Sequence, residues 1–335
     1  MATAMGGDYL TLVDIAKRTK PGGGIDTVVE VLAASNPIIG DANVMEGNLP
    51  TGHRSTQRAS QPSGTWRKLN QGVAASKSTT QQVDDTCGML EDYSRIDVDL
   101  ASLSGNAAAF RASEDQAFVA GFNSTIATAI FYGNQGLNPE QIQGFAPRYN
   151  LTTGAYGAYI VNAGGSGSDN TSIWLITWGP QTTSLIYPKG SKMGLTTKDL
   201  GTQLITDSTG LMYEAYVTKF QWKLGLTIKD YRYVTRVANI DVSDLTDDAA
   251  SGADIIRKMV AAYWTRPTEA IDGGKLTKSF FYCNKTIGEY LHVQASNKSN
   301  VNLSIDMAGG KPIVNMLGVP IHICDNITSA EATIS

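Results

Sequence analysis

Apolar residues recur at every fourth position in the middle of this chain: Phe118, Phe122, Ile126 and Ile130. That spacing lays them along one face of a helix. Ser113 and Gln116 stand in capping-box register ahead of the stripe, and Gly133 follows Tyr132 where a C-terminal cap belongs. A helix within 104–132 is predicted, about 30 Å long from Ser113 or about 39 Å long from Ala107. After Asn138-Pro139 the pattern turns to β-branched and aromatic runs. Ser172–Trp178 and Thr183–Tyr187 read as strands joined through Gly179-Pro180, and Tyr213–Trp222 and Asp230–Val237 as two more. Ala253–Trp264 reads as a helix with Ile256, Val260 and Tyr263 on one face. Phe280–Cys283, Lys285–Ser296 and Val319–Cys324 follow as strand, helix and closing strand. Near the N-terminus, Leu12, Ile15 and Ala16 share a helical turn. Val28, Val29, Val31 and Leu32 cluster beyond the Gly22-Gly23-Gly24 break.

One stretch breaks this pattern. From Gly47 to Gln82 the chain is rich in Ser, Thr, Gly and Gln and nearly bare of large apolar side chains. It cannot bury a core of its own, and a segment that long does not belong inside a compact domain. Its Thr, Val and Trp66 content suits an extended two-stranded arm. The charge is one-sided too: Arg54, Arg58, Arg67, Lys68 and Lys77 occur there with no acidic residue among them. The next stretch carries Asp84, Asp85, Glu91, Asp92, Asp97 and Asp99, opposed by Arg95. Two readings stand side by side. The blocks are two solvated surfaces, or the basic arm of one subunit lies on an acidic surface of its neighbour, where complementary potentials set register and partner choice. On the second reading the inter-subunit contacts are Arg54, Arg58, Trp66, Arg67, Lys68, Lys77, Asp84, Asp85, Glu91 and Asp92.

Composition narrows the classes. Of the 335 residues 42% are hydrophobic and 17% charged, the latter below the roughly one quarter usual in soluble proteins. That balance does not fit disorder; it fits a folded chain that buries surface against partners. A formal net charge of −4 argues against a dedicated nucleic-acid binder. No apolar run approaches the length of a membrane span, and the N-terminus lacks the basic and apolar regions of a secretory signal. The three cysteines, Cys87, Cys283 and Cys324, are odd in number and far apart, so a reduced cytosolic setting is expected rather than a disulfide framework. Without export, the sequons at Asn123, Asn150 and Asn284 are expected to carry no glycan.

A search for chemistry yields no catalytic, cofactor or metal residues to nominate. His53, His292 and His322 form no metal-ligand pair, and His292 reads as a packed or surface residue. Gly164–Ser168 and Gly273-Gly274-Lys275 miss the phosphate-loop spacing and read as loops. Asp244, Asp247 and Asp248 lack a calcium-loop pattern and read as caps for the following helix. Nothing singles out Lys77 for an isopeptide cross-link. Trp66-Arg67-Lys68 has the form of a base-stacking spot, though an interface anchor is the better use on an acidic chain.

Several segments resemble the tailed-bacteriophage major capsid proteins of the epsilon-fifteen (podovirus) type. They include Glu46–Arg54 (EGNLPTGHR), Trp66–Gln71 (WRKLNQ), Ser76–Gln81 (SKSTTQ), Cys87–Tyr93 (CGMLEDY), Phe131–Pro139 (FYGNQGLNP) and Phe145–Asn150 (FAPRYN). Gly165–Trp174, Trp178–Pro180, Pro188–Lys192, Arg236–Val242 and Leu317–Cys324 continue the match in order along nearly the whole chain. The resemblance implies an α+β, HK97-like subunit. It divides the chain into an N-terminal arm over 1–46, an extended E-loop over 47–92, a peripheral domain over 93–249 and an axial αβ domain with a C-terminal return over 250–335. The peripheral domain holds a long spine helix at about 104–132 and a sheet. The implied role is structural rather than enzymatic: pentamers and hexamers of an icosahedral shell around double-stranded DNA, assembled in the bacterial cytoplasm. Implied partners are sister copies, a scaffolding protein, a portal, a decoration or cement protein and, nonspecifically, the packaged DNA, with no membrane. Two alternatives share parts of the pattern: an encapsulin-like compartment shell, and a phage tail or glycan-binding β protein.

Overall fold

The computed structural model describes residues 36–103, 105–206, 210–246, 253–267, 277–296, 303–308 and 311–335. The expected elements in 8–35, Asp247, Asp248 and the Gly273-Gly274-Lys275 loop lie outside them. In chain order the first elements are α1 (Ile38–Asp41), β1 (Val44–Glu46), β2 (Gly52–Ser60), β3 (Thr79–Asp97), α2 (Val98–Leu103) and α3 (Ala107–Tyr132). Then come α4 (Gly154–Gly157), β4 (Ile160–Asn162), β5 (Asn170–Trp178), β6 (Thr183–Tyr187), β7 (Leu195–Thr206), β8 (Met212–Ile228) and β9 (Val234–Asp241). The chain finishes with α5 (Ile255–Thr265), β10 (Lys278–Cys283), α6 (Lys285–Ser296), β11 (Leu303–Ala308), β12 (Lys311–Met316) and β13 (Val319–Ile323).

The long helix takes the earlier of its two expected starts. Ser113 lies inside α3, so the Ser113/Gln116 capping box does not form. The cap is Asn106, whose Oδ1 accepts from the Ala109 amide at 3.1 Å, and Ala107-Ala108-Ala109 carry the helix back to it. Its end is as expected. The Gly133 amide donates to the Ala129 carbonyl. A Cβ at Gly133 would stand 2.4 Å from the Ile142 carbonyl oxygen, so close backbone approach requires glycine there.

The described chain falls into two compact units. The first comprises residues 89–126 and 192–223. Its small core is Ile96, Leu100, Ala101 and Phe110, with Ala107 and Tyr216 against it. Phe118 stacks on Phe220 with ring centres 5.3 Å apart, and Phe122 meets the same ring at 6.3 Å. β7 and β8 form an antiparallel hairpin, from Leu195↔Trp222 to Thr206↔Met212. Asp199 accepts from the Gly201 amide at the register shift in β7, and the positive φ of Gly201 gives the irregular turn there. Arg111 extends from α3 to Asp199 at 2.7 Å and covers the Tyr216 ring. Glu91 on β3 is held by Lys219 at 2.8 Å, by the Tyr93 hydroxyl at 2.6 Å and by Gln221.

The second unit comprises residues 35–88, 127–191 and 224–335. β5 is its central strand, pairing antiparallel with β10 on one edge and with β9 on the other. β13 lies parallel to β10, and β4 lies parallel to β9. Every residue of β5 is buried, which is why its sequence shows no polar–apolar alternation. Ile173 and Leu175 face α5 and α6, packing with Ile256, Met259, Ile287 and Leu291. Trp174 and Trp178 face the other way, against Phe131, Phe145 and Tyr149. The last turn of α3 thus delivers Phe131 into an aromatic cluster. α6 spans the predicted residues and is capped by Asn284, which accepts from the Ile287 amide.

Two further expectations need correction. Asp230–Val237 is not one strand: the Asp230 side chain accepts from the Arg232 amide and caps a 3-10 turn over Tyr231–Tyr233, so β9 starts at Val234. Asp244 does not cap α5 through its side chain; its backbone carbonyl accepts from Ala253, and Asp254 occupies the cap position without a side-chain bond. Residues 36–46 are built into the second unit, with Ile38 fully buried and β1 parallel to β6. β5 and β9 share their sheet with β10 and β13.

Residues 325–335 are stitched to this sheet by polar groups. Arg236 donates to Ser172 Oγ at 2.9 Å, to the Tyr149 carbonyl at 2.7 Å and to Glu331 at 2.8 Å, and its guanidinium covers the Trp174 ring. The Tyr132 hydroxyl donates to the other Glu331 oxygen. Arg236 and Glu331 are 4% and 5% exposed, so removing one partner leaves a buried charge uncompensated.

Two outcomes follow from these bonds. Glu331→Ala is expected to destabilise the unassembled subunit by about 3–5 kcal/mol, read from the urea midpoint. The Lys219 ammonium and the Tyr93 hydroxyl hold Glu91 down to about 2, from an ordinary 4.5. Its folded value lies below its unfolded one, so the pair contributes in full above about pH 4.5 and fades as pH falls toward about 2. Thermal melts should show Glu91→Gln less stable than the parent at pH 6, with the gap closing on acidification through that window.

Candidate functional site

The polar stretch folds as a paired root and a bare loop. β2 and the first part of β3 pair antiparallel from Gly52↔Thr86 to Arg58↔Thr80, with a register shift before Ser60↔Thr79. The root is anchored: a Cβ at Gly52 would stand 2.1 Å from the Asp85 carbonyl oxygen, and Gln57 donates to the carbonyls of Ile228 and Lys229. His53 and Ser55 are buried there, whereas every residue from Arg58 to Gln82 is exposed. Residues 61–78 form neither strand nor helix. Within that loop Trp66 is 100% exposed and Leu69 92%.

The charged residues divide into engaged and unengaged groups. Arg54 and Asp84, opposite each other in the ladder, make a bidentate pair with both contacts at 2.6 Å. The guanidinium holds the Asp84 carboxyl below the usual carboxylate range. Asp85 is buried, taking Arg148 at 2.7 Å on one oxygen and the Thr227 hydroxyl at 2.7 Å on the other. Glu91 belongs to Lys219. These three carboxylates are therefore satisfied within the chain. Arg58, Arg67, Lys68, Lys77 and Asp92 are exposed with no ion-pair partner among the described residues. Arg58 also lines a cleft of about 530 Å³ with Lys229, Asp230 and Arg232. The structure thus gathers the unpaired cations on the loop and its root.

Arg148 and Lys219 were not nominated from sequence. They lie 63 and 128 positions from their carboxylate partners, and no local pattern signals such a pairing. His53 has its basicity lowered by burial, with the Lys229 charge adding to the effect. His322 Nδ1 lies 2.6 Å from Asp41, and its ring stacks on Phe280. Among the described residues, no three His, Cys, Asp or Glu side chains gather as a metal site. No described helix is long and apolar enough to cross a membrane.

Comparison with known proteins adds three findings. A family model described as "Major capsid protein GP7" matches residues 20–335. A chain in a structure of bacteriophage Epsilon15 is 39% identical, covers 99% of each chain and superposes with a TM-score of 0.78. A chain of the bacteriophage JBD30 capsid is 10% identical over 95% of this chain and 99% of its own, with a TM-score of 0.51, a likeness of fold. No curated protein matches. The long helix, paired arm and αβ sheet are those of the HK97-like capsid fold, and the chain is similar to a phage shell subunit over its whole length. The compartment-shell and tail-protein alternatives are thereby set aside. The chain belongs to the bacteriophage major capsid protein family described as GP7.

Proposed function

We propose that this chain builds a closed icosahedral phage head by laying its 61–78 loop across sister copies in pentamers and hexamers. The supporting observation is the loop itself. Its residues are exposed without interruption, it holds a fully exposed tryptophan, and it carries cations that nothing in the described chain neutralises. Apolar surface of that size is stabilised by contact with another molecule. Head-to-tail contacts that close by rotation make rings, and an arm lying over a neighbour tolerates the different angles of five- and six-fold positions. The head encloses double-stranded DNA, which the subunit touches nonspecifically. A scaffolding protein, a portal and a decoration or cement protein act with it during assembly in the host bacterial cytoplasm.

The root of the hairpin must be spared in a test, since His53 and Asp85 are packed into the second unit. Replacing residues 62–77 with an Asn-Gly turn keeps the β2–β3 pairing. The shortened subunit should melt within a few degrees of the parent yet form no closed shells by electron microscopy. Normal particles from this variant would sink the reading.

A further inference from the structure

A groove opens on the first unit. It has a volume of about 340 Å³ and is lined by Leu90, Glu91 and Asp92 of β3 and by Phe118, Gly121 and Phe122 of α3. Leu90, Phe118 and Phe122 make the lining largely apolar, and Asp92 brings an exposed carboxylate to it. By helical spacing Glu114 lies on the same face as Phe118 and Gly121, one turn earlier.

Gly121 is the informative residue. A glycine inside a helix is destabilising relative to alanine. Just past the end of the same helix, at Gly133, a crowded backbone explains the glycine. At Gly121 no described residue lies within 4 Å of the place a Cβ would occupy. Among the described residues, packing leaves room above the helix there, so an incoming side chain can come close to the backbone.

The loop supplies a matching shape and charge. Trp66 and Leu69 are the most exposed large apolar residues described, and Arg67 and Lys68 stand between them. Tryptophan and arginine are the side chains that most often anchor interfaces, filling a pocket while the cation meets a carboxylate. We propose that Trp66 of one copy seats over Gly121, between Phe118 and Phe122, in the groove of a second copy, with Arg67 meeting Asp92. The inference rests on the reading of residues 61–78 as an arm shared between copies, and it names the surface that receives the arm.

A double-mutant cycle tests it in whatever system yields parental shells from the full chain. Trp66→Ala and Gly121→Leu should each raise the subunit concentration at half-assembly by about tenfold. If the indole and the groove meet, the double variant should be no worse than either single, because the second change has nothing left to remove. An additive, roughly hundredfold effect overturns the proposal, as does a neutral effect of either single change. Gly121→Leu should leave the unassembled subunit as heat-stable as the parent or more so.

A second experiment does not depend on that variant folding. Arg67→Cys and Asp92→Cys are placed in one chain, and assembled shells are treated at pH 7 with a short bismaleimide. The native thiols stay protonated there: burial pushes Cys87 up to about 11 and Cys324 up to about 12, and Cys283 is also raised. Denaturing gels should show multimers that neither single-cysteine chain gives. Intact shells without multimers, or a groove thiol that reacts with some other protein, overturn the groove assignment and leave the arm reading standing. Normal shells from the loop-replacement variant would overturn both.

Discussion

Strand β5 is buried on both faces and paired on both edges, and the order of the second unit follows from that. A strand in this position must find partners for its polar side chains as well as its backbone, because water reaches neither face. Thr171 donates to the Thr328 carbonyl, Ser172 meets Arg236 and Glu331, and Thr177 meets Ser279. Two of these three hydroxyls draw residues 325–335 onto the sheet. The aromatic side of the strand receives the last turn of α3, and the aliphatic side receives α5 and α6. One strand therefore positions the end of the long helix, the final residues and the helical layer.

Against this rigid body the loop beyond β2 is the reverse case. Its root obeys the same rules of buried pairing, shown by Asp85 with its two partners and by the close approach at Gly52. Past Arg58 those rules stop applying, since no described residue covers the loop. The contacts that hold the described units together thus lie outside the loop, and an uncovered tryptophan is a cost that the subunit's described residues do not offset.

Much of this was legible in the sequence, for particular reasons. The four-residue apolar period located α3, and the β-branched and aromatic runs located β5, β6 and β10. The polar character of 47–82 announced a segment unable to bury itself. What escaped notice was structure held by distant partners or lacking a pattern. β7 is almost wholly exposed and carries no alternation, so only its ladder with β8 makes it a strand. The turn between β12 and β13 uses Leu317 and Gly318 at positive φ, and a leucine in that conformation is not a turn signal. For the candidate contacts, the sequence marked the cations as a block, of which Arg54 is taken by Asp84 within the chain. It could not tell that Asp84, Asp85 and Glu91 are spoken for inside the chain, since their partners are set by folding rather than by spacing.

The one-signed charge on the exposed loop has a kinetic consequence. Five cations between Arg54 and Lys77, four of them unpaired, repel the same cations on every other copy while subunits are dilute. Over a screening distance of about 8 Å at physiological ionic strength, this repulsion slows random loop-to-loop collision. Approach to a carboxylate-bearing surface is accelerated by the same charges. Any association rate that depends on this loop's attraction to such a surface therefore falls as ionic strength rises.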